Sequence, residues 1–280
     1  MRFRRGAQLD SSQVSDRRGM GPVALGGGGI VGVIALVIYL LGGGGGGGGE
    51  SGAPSAIDLG QGGSDLSAEC QTGDDANQRQ DCRIVGVVNS VQAFWTESAD
   101  NYQQAKTVFF TEATSTGCGN ATSAVGPFYC PLDRTIYIDL GFYEQLRTKF
   151  GAQGGPFAEA YVIAHEYGHH VQNLLGVLDR ARDGQTGPGS NAVKVELMAD
   201  CLAGMWAQGA VETGFIEELT DDDIRDGLDA AAAVGDDRIQ EKVQGRVDPE
   251  AWTHGSAEER QGAFRSGYTA TSLDNCNSFA

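Results

Sequence analysis

Apolar residues recur at helical spacing along much of the chain. From residue 81 to residue 105 they return every three or four positions, which predicts an amphipathic helix. Thr220 and Asp223 form the pattern of a capping box, so another helix is expected to begin there. Three more helices are predicted where apolar residues dominate: 142–150, 157–175 and 192–208.

Two short runs are rich in β-branched and aromatic residues and predict strands, at 107–111 and 135–139. The region between them is rich in Gly, Asn, Ser and Thr, which is typical of loops. The sequence contains no internal repeat. Because the predicted strands come before most of the helices, we expect an α+β fold.

The longest uncharged stretch lies near the N-terminus. Residues 22–41 contain no charged side chain and are long enough to cross a bilayer, so they predict one transmembrane helix. The arginines that precede it predict a cytoplasmic N-terminus and an extracytoplasmic catalytic domain in a single-pass cell-membrane protein. A cleaved signal peptide is the alternative, and it would also export the domain. The expected parts are a cytoplasmic basic segment (1–21), the transmembrane helix (22–41), a Gly-rich flexible tether (42–65) and one folded domain (66–280).

Composition narrows the class of partner. With 280 residues and 40% hydrophobic residues the chain can bury one sizeable core. The formal charge of −17 argues against nucleic acid, because phosphate binding requires clustered Lys and Arg. We therefore expect no nucleic-acid partner.

All six cysteines lie beyond the proposed tether. An even count in an exported domain indicates disulfides, although six cysteines allow fifteen pairings. Free buried thiols are the alternative. The pairing we expect is Cys70–Cys82, Cys118–Cys130 and Cys201–Cys276, which closes two short loops and ties the C-terminal tail to a helix.

An HExxH motif lies inside the predicted helix 157–175. On a helix, His165 and His169 are one turn apart, so both imidazoles can reach one metal ion. Glu166 lies beside them, where it can address a water on the metal without being a ligand. The alternative is a pair of core histidines, but a buried Glu between them would then need a partner. His170 points to another side of the helix.

The next predicted helix carries two carboxylates on one face, Glu196 and Asp200, in an otherwise apolar stretch. Catalytic zinc usually has three protein ligands, and Glu196 is the candidate for the third. Asp200 is expected to accept the second N–H of a liganding histidine, His165, and so fix its tautomer. An ion pair from this helix to an Arg or Lys is the alternative.

The strings at 165–172 (HEYGHHVQ) and 196–201 (ELMADC), together with 252–256 (WTHGS), resemble the bacterial family of putative neutral zinc metallopeptidases (YpfJ-like). HExxH followed by ExxxD is the gluzincin arrangement. The resemblance implies a zincin-like domain, a small β-sheet with active-site helices, that binds Zn²⁺ through His165, His169 and Glu196. It also implies that Glu166 is the catalytic residue.

The function expected from this site is a membrane-anchored zinc endopeptidase acting on peptide or protein substrates. Glu166 would take a proton from the water on the metal. His254 is a candidate for stabilising the oxyanion, or it caps the helix that begins near Ser256. Residues 135–139 could pair with the substrate backbone. The alternatives are a tethered zinc-binding assembly protein without activity and a zinc hydrolase of a non-peptide amide; the sequence predicts no oligomeric state.

Overall fold

A computed structural model describes residues 1–19 and 65–279 of the chain. The predicted transmembrane stretch 22–41 and almost all of the predicted tether, residues 42–64, lie outside the described residues. The architecture below therefore belongs to the N-terminal segment and to the predicted folded domain.

Strands in the described residues form one central sheet and two small ribbons. They are β1 (Arg2–Phe3), β2 (Val14–Asp16), β3 (Lys106–Phe110), β4 (Ala113–Thr116), β5 (Gly119–Thr122), β6 (Phe128–Cys130), β7 (Thr135–Asp139) and β8 (Ile216–Glu218). The central sheet has the order β2-β3-β7-β6, with β2, β3 and β7 parallel and β6 antiparallel to β7. The ribbons pair β1 with β8 and β4 with β5, both antiparallel.

Helices make up most of the remaining structure, and the α+β class is confirmed. They are α1 (Leu66–Glu69), α2 (Gly73–Gln78), α3 (Gln80–Ser98), α4 (Phe142–Thr148), α5 (Pro156–Leu174), α6 (Asn191–Gly209), α7 (Asp221–Ala233), α8 (Asp236–Gln244) and α9 (Ala257–Tyr268). Short 3-10 helices occupy Ser11–Gln13, Ser123–Val125, Leu178–Asp183, Pro249–Ala251 and Leu273–Cys276.

The helices and strands predicted from periodicity are all present. Predicted helix 157–175 is α5, which begins at Pro156 because a proline at the first helical position has no N–H to leave unpaired. Helix α7 begins with the expected capping box between Thr220 and Asp223. Predicted helix 81–105 ends at Ser98, and strand 135–139 is β7.

The main core lies where α3, α5 and α6 meet. Trp95, Trp206 and Phe157 are fully buried there, and the rings of Phe157 and Trp206 stack with centroids 6.0 Å apart. Burying side chains of this size is the largest stabilising contribution that this fold can make. The two helices that carry the predicted metal ligands are thus part of the core.

The expected disulfides are confirmed. Sulfur atoms join in the pairs Cys70–Cys82, Cys118–Cys130 and Cys201–Cys276, and the described residues contain no free cysteine. The third bond joins α6 to the tail that follows α9. Because these two segments are far apart in sequence, it restrains the unfolded chain more than the other two do.

The predicted localisation is wrong, and the N-terminal segment shows why. β1 pairs with β8 and β2 lies parallel to β3, so residues 2–16 are hydrogen bonded to the folded domain. Phe3 is also buried in the main core. A segment that shares two sheets with the folded domain does not lie across a membrane from it.

The predicted membrane-spanning helix is not supported either. Within residues 1–19 and 65–279, every helix is too short or too polar to cross a bilayer. The stretch on which that prediction depended falls outside this part of the chain.

Candidate metal centre and its cleft

Helices α5 and α6 approach each other closely at Gly168. A Cβ at this position would lie 2.9 Å from the carbonyl oxygen of Ala199, which is closer than real Cβ contacts allow. Glycine therefore permits the HExxH turn of α5 to lie directly against the ExxxD turn of α6. This contact brings together side chains about thirty positions apart in sequence.

Three predicted ligands converge at this contact. His165 Nε2 lies 3.2 Å from one carboxylate oxygen of Glu196, and His169 Nε2 lies 3.5 Å from the other. One ligand atom from each residue lies within 4.8 Å of the others, so the three could hold a metal ion. Neighbouring ligand atoms around tetrahedral zinc are about 3.3 Å apart for bonds of about 2.0–2.1 Å. The spacing therefore fits zinc.

The other ring nitrogen of each histidine is already bonded to the protein. His165 Nδ1 lies 2.8 Å from Asp200 Oδ1, the contact predicted from the ExxxD spacing. His169 Nδ1 lies 2.9 Å from Oε1 of Gln172, whose amide nitrogen donates to the backbone carbonyl of Val195. Both Nε2 atoms are thereby directed towards Glu196.

The charges around these ligands also favour a cation. Burial alone would raise the pKa of Glu196, but the charge of His169 and the hydrogen bond from His165 hold it well below its ordinary value. Burial would lower the pKa of His165, yet the charge and hydrogen bond of Asp200 raise it to about 10. The buried carboxylates thus favour positive charge on the ring of His165, where a metal ion can replace the proton, whereas burial lowers the pKa of His169 and favours its neutral form, which can bind a metal.

Glu166 faces the same cleft but is not one of the three grouped ligands. Its side chain is buried, and burial raises its pKa to about 8, against the opposing charge of His165. A cation at the neighbouring ligands would lower this value, because a positive charge favours the ionised carboxylate. Glu166 is therefore a carboxylate that can exchange a proton near neutral pH.

Asp200 has two kinds of partner. Besides His165, it accepts hydrogen bonds from Tyr161 and, at 2.7 and 3.0 Å, from the guanidinium of Arg260. The alternative of an ion pair from α6 to an arginine is therefore realised at Asp200, together with the histidine contact. Burial alone would raise the pKa of Asp200, but the charges and hydrogen bonds of Arg260 and His165 hold it at about 2.

His254 lines the cleft from a different part of the chain. Its Nδ1 lies 3.2 Å from Asp236 Oδ1, and the other oxygen of Asp236 accepts the backbone N–H groups of Thr253, His254 and Gly255. Asp236 is also the first residue of α8, where the helix dipole favours a carboxylate. His254 does not cap α9, since Ser256 forms that capping box with Glu259.

Two other predictions concern the walls of the cleft. His170 is buried and contacts the hydroxyl of Tyr129 and the backbone carbonyl of Gln103, so it anchors β6 to α5 as expected of a histidine pointing elsewhere. The prediction that residues 135–139 pair with substrate is wrong, because β7 lies between β3 and β6. β6 is one of the two edge strands of the central sheet, opposite β2, and its Phe128 and Tyr129 line the cleft.

Reasoning from sequence assigned no role to Gln172, Asp236 or Arg260. Gln172 lies one turn after His169, so helical spacing could have indicated it. Asp236 and Arg260 reach the site from distant elements, and no local pattern relates them to the HExxH motif.

Comparison with known proteins agrees with the motifs. The family described as putative neutral zinc metallopeptidase matches residues 1–279. An uncharacterized protein of Mycobacterium tuberculosis is 51% identical over 225 residues, which cover 78% of this chain and 76% of that protein. The uncharacterized protein YpfJ of Escherichia coli is 46% identical over 188 residues, covering 64% of this chain and 62% of YpfJ. No solved structure matches significantly, so the zincin-like architecture stays a prediction.

The match extends over nearly the whole chain, and the relatives are similar over most of their length. The metal that this family implies is Zn²⁺, which agrees with the spacing of the three candidate ligands. The chain belongs to the family of putative neutral zinc metallopeptidases.

Proposed function

We propose that this protein is a zinc-dependent endopeptidase in which His165, His169 and Glu196 hold the metal and Glu166 is the general base. The observation that carries the proposal is the position of Glu166, a buried carboxylate beside the candidate ligands and outside their group. A metal site that serves only structure has no need for such a carboxylate, which is costly to bury.

The roles of the protein's own groups follow from their positions. When bound, zinc would act as a Lewis acid that polarises the substrate carbonyl and lowers the pKa of a water molecule at the metal towards about 7. Glu166 takes a proton from the attacking water and passes it to the leaving amine. His254, held by Asp236, donates a hydrogen bond to the oxyanion through Nε2, because Nδ1 is engaged.

The cleft favours a polypeptide substrate with large apolar side chains. Its walls near the ligands are mostly apolar: Phe128, Phe142, Phe150, Val162, Leu178 and Ile239. Apolar surface continues at the rim, where exposed Leu132 follows Pro131 and exposed Val243 lies one turn beyond Ile239. The edge of β6 can pair with an extended backbone while side chains enter these walls.

The test is the isosteric change Glu166→Gln. We expect the variant to keep one equivalent of zinc and the wild-type melting temperature, and to lose peptide cleavage by at least about 10²-fold, since the amide cannot accept the proton. Cleavage would be followed by mass spectrometry on a peptide library, and zinc by elemental analysis. Glu97→Gln, the same change at an exposed site on α3, is the matched control.

Two outcomes would contradict the proposal. Unchanged cleavage by Glu166→Gln would remove Glu166 from the reaction. Absence of any peptide cleavage by the zinc-loaded wild type, with turnover of a non-peptide amide, would instead assign the site to another class of hydrolase.

A further inference from the structure

Arg260 is a buried cation next to the candidate metal centre. It lies on α9, and only 3% of its surface is exposed. Its Nε donates to Asp200 Oδ2 at 2.7 Å and its Nη2 donates to Asp200 Oδ1 at 3.0 Å. Such a two-bond contact fixes both the position and the plane of a carboxylate, which a single-point contact does not.

The same guanidinium also reaches beyond Asp200. Nη2 lies 3.1 Å from the hydroxyl of Tyr161, which itself donates to Asp200. Nη1 donates to the backbone carbonyl of Val234 at 3.2 Å. Val234 precedes Asp236 by two residues, and Asp236 holds His254. One side chain therefore touches both the carboxylate behind His165 and the segment that leads to the His254 pair.

The charge of Arg260 is needed where it lies. Asp200 is fully buried, and a buried carboxylate without a cation is strongly destabilising. Its Oδ1 faces His165 Nδ1 at 2.8 Å, so any rotation of the carboxyl plane would change the direction of the imidazole. The orientation of a metal-binding histidine depends on such outer partners.

Helix α9, which carries Arg260, packs closely against α6. A Cβ at Gly267 would lie 1.8 Å from the carbonyl oxygen of Cys201, so α9 and α6 cross at a distance that only glycine allows. Cys201 follows Asp200 directly and is joined to Cys276 beyond the end of α9. The close crossing and the disulfide thus hold the helix that carries Arg260 against the helix that carries Asp200.

We infer that Arg260 is a positioning residue for the metal centre: by clamping Asp200 it holds His165 in the orientation that binds zinc, and by its bond to Val234 it links that centre to the His254 segment. Nη2 of Arg260 also lies 3.3 Å from His165 Nδ1, whereas the other ring nitrogen, Nε2, faces Glu196. The inference rests on zinc binding and does not require the proposed peptidase activity.

The test compares Arg260→Met with Arg260→Lys in the full chain. Zinc affinity would be measured by competition with a chelator, and coordination geometry by the visible absorption of the Co²⁺-substituted protein. Methionine replaces the apolar stem of the arginine and removes the charged guanidinium, and we expect about 10-fold weaker zinc binding with an altered Co²⁺ spectrum. Lysine keeps the charge but cannot make two parallel bonds, so we expect a smaller loss of affinity and partial recovery of the spectrum.

A matched control separates positioning from general stability. Arg83→Met removes another largely buried arginine, which pairs with Glu159 in the first turn of α5 at 2.7 Å. It should lower the melting temperature and leave zinc affinity and the Co²⁺ spectrum unchanged.

Wild-type zinc affinity and an unchanged spectrum in folded Arg260→Met would overturn the inference. If the methionine variant does not fold, the lysine variant decides in the same way, measured below its melting temperature. Zinc affinity and the Co²⁺ spectrum do not depend on peptide cleavage. The proposed function can therefore fail in the Glu166→Gln test while the inference about Arg260 stands.

Discussion

His165 with Asp200 and His254 with Asp236 are both imidazole–carboxylate pairs that border one cleft, but they are built in different ways. Asp200 is fixed by side chains, above all by the buried guanidinium of Arg260. Asp236, the first residue of α8, is fixed by the backbone N–H groups of Thr253, His254 and Gly255.

Because the two pairs are built differently, we expect them to have different roles. A carboxylate clamped by a cation sets the geometry of the imidazole, which suits a metal ligand. At the second pair the carboxylate, held by neutral backbone groups, favours the protonated imidazole that can donate to an oxyanion, whereas at His165 a metal ion would take the place of that proton. The first pair is thus expected to control zinc, and the second to control turnover.

Removing the carboxylate ligand should abolish zinc binding at the first pair. We expect Glu196→Ala to lose zinc after dialysis, with binding at least about 100-fold weaker, because two imidazoles alone do not complete a zinc site. Elemental analysis checks this, with Glu97→Ala as the exposed control. One retained equivalent of zinc in Glu196→Ala would remove this residue from the ligands.

Removing the second imidazole should leave zinc in place. We expect His254→Phe to bind one equivalent of zinc and to lower kcat by about 10²–10³-fold, the usual effect of losing an oxyanion donor. Steady-state kinetics on a cleaved peptide, with zinc analysis of the same sample, checks the separation. Loss of zinc in this variant would show that the two pairs do not have separate roles.

The pH dependence of kcat tests the role of the second pair, His254 with Asp236. Burial lowers the pKa of His254, but the hydrogen bond and charge of Asp236 and the charge of Glu196 raise it above its ordinary value. A raised pKa means that the protonated donor persists to higher pH and is lost only as pH rises through that pKa. Asp236→Asn should therefore shift the alkaline limb of kcat to lower pH by about one unit.

Profiles of kcat against pH for wild type and Asp236→Asn would measure this shift. Glu241→Gln, on an exposed position of the same helix, is the control that should not move the limb. An unmoved limb in Asp236→Asn would mean that the protonated form of His254 is not the donor to the oxyanion.

Both members of the first pair were within reach of sequence reasoning, whereas in the second pair only His254 was named and its partner Asp236 was not. His165, Glu196 and Asp200 lie on two long apolar helices, where spacing along the helix determines which side chains share a face. Local patterns also sufficed for the capping box of α7, and the even count of cysteines indicated disulfides, although that count does not determine which cysteines pair. Each of these features depends on short-range spacing or on an even count of cysteines.

The remaining features depend on contacts between distant parts of the chain. Arg260 reaches Asp200 across sixty positions, and the nest around Asp236 needs a backbone conformation in which Gly255 has a φ of 87°. β1 and β2 have only two and three residues, too few for any periodicity, and they pair with strands far along the chain. The uncharged stretch 22–41 was the strongest pattern near the N-terminus. The prediction based on it placed residues 1–21 across a membrane from the folded domain, and that placement was wrong.

We propose that α5 and α6 hold one zinc ion between two imidazoles and one carboxylate. A crystal structure of the zinc-loaded protein, with anomalous diffraction at the zinc edge, tests it most directly. We predict a single strong peak within about 2.0–2.2 Å of His165 Nε2, His169 Nε2 and a carboxylate oxygen of Glu196, with Glu166 facing the open position. A peak elsewhere, or one bound by Glu166 in place of Glu196, would contradict this account.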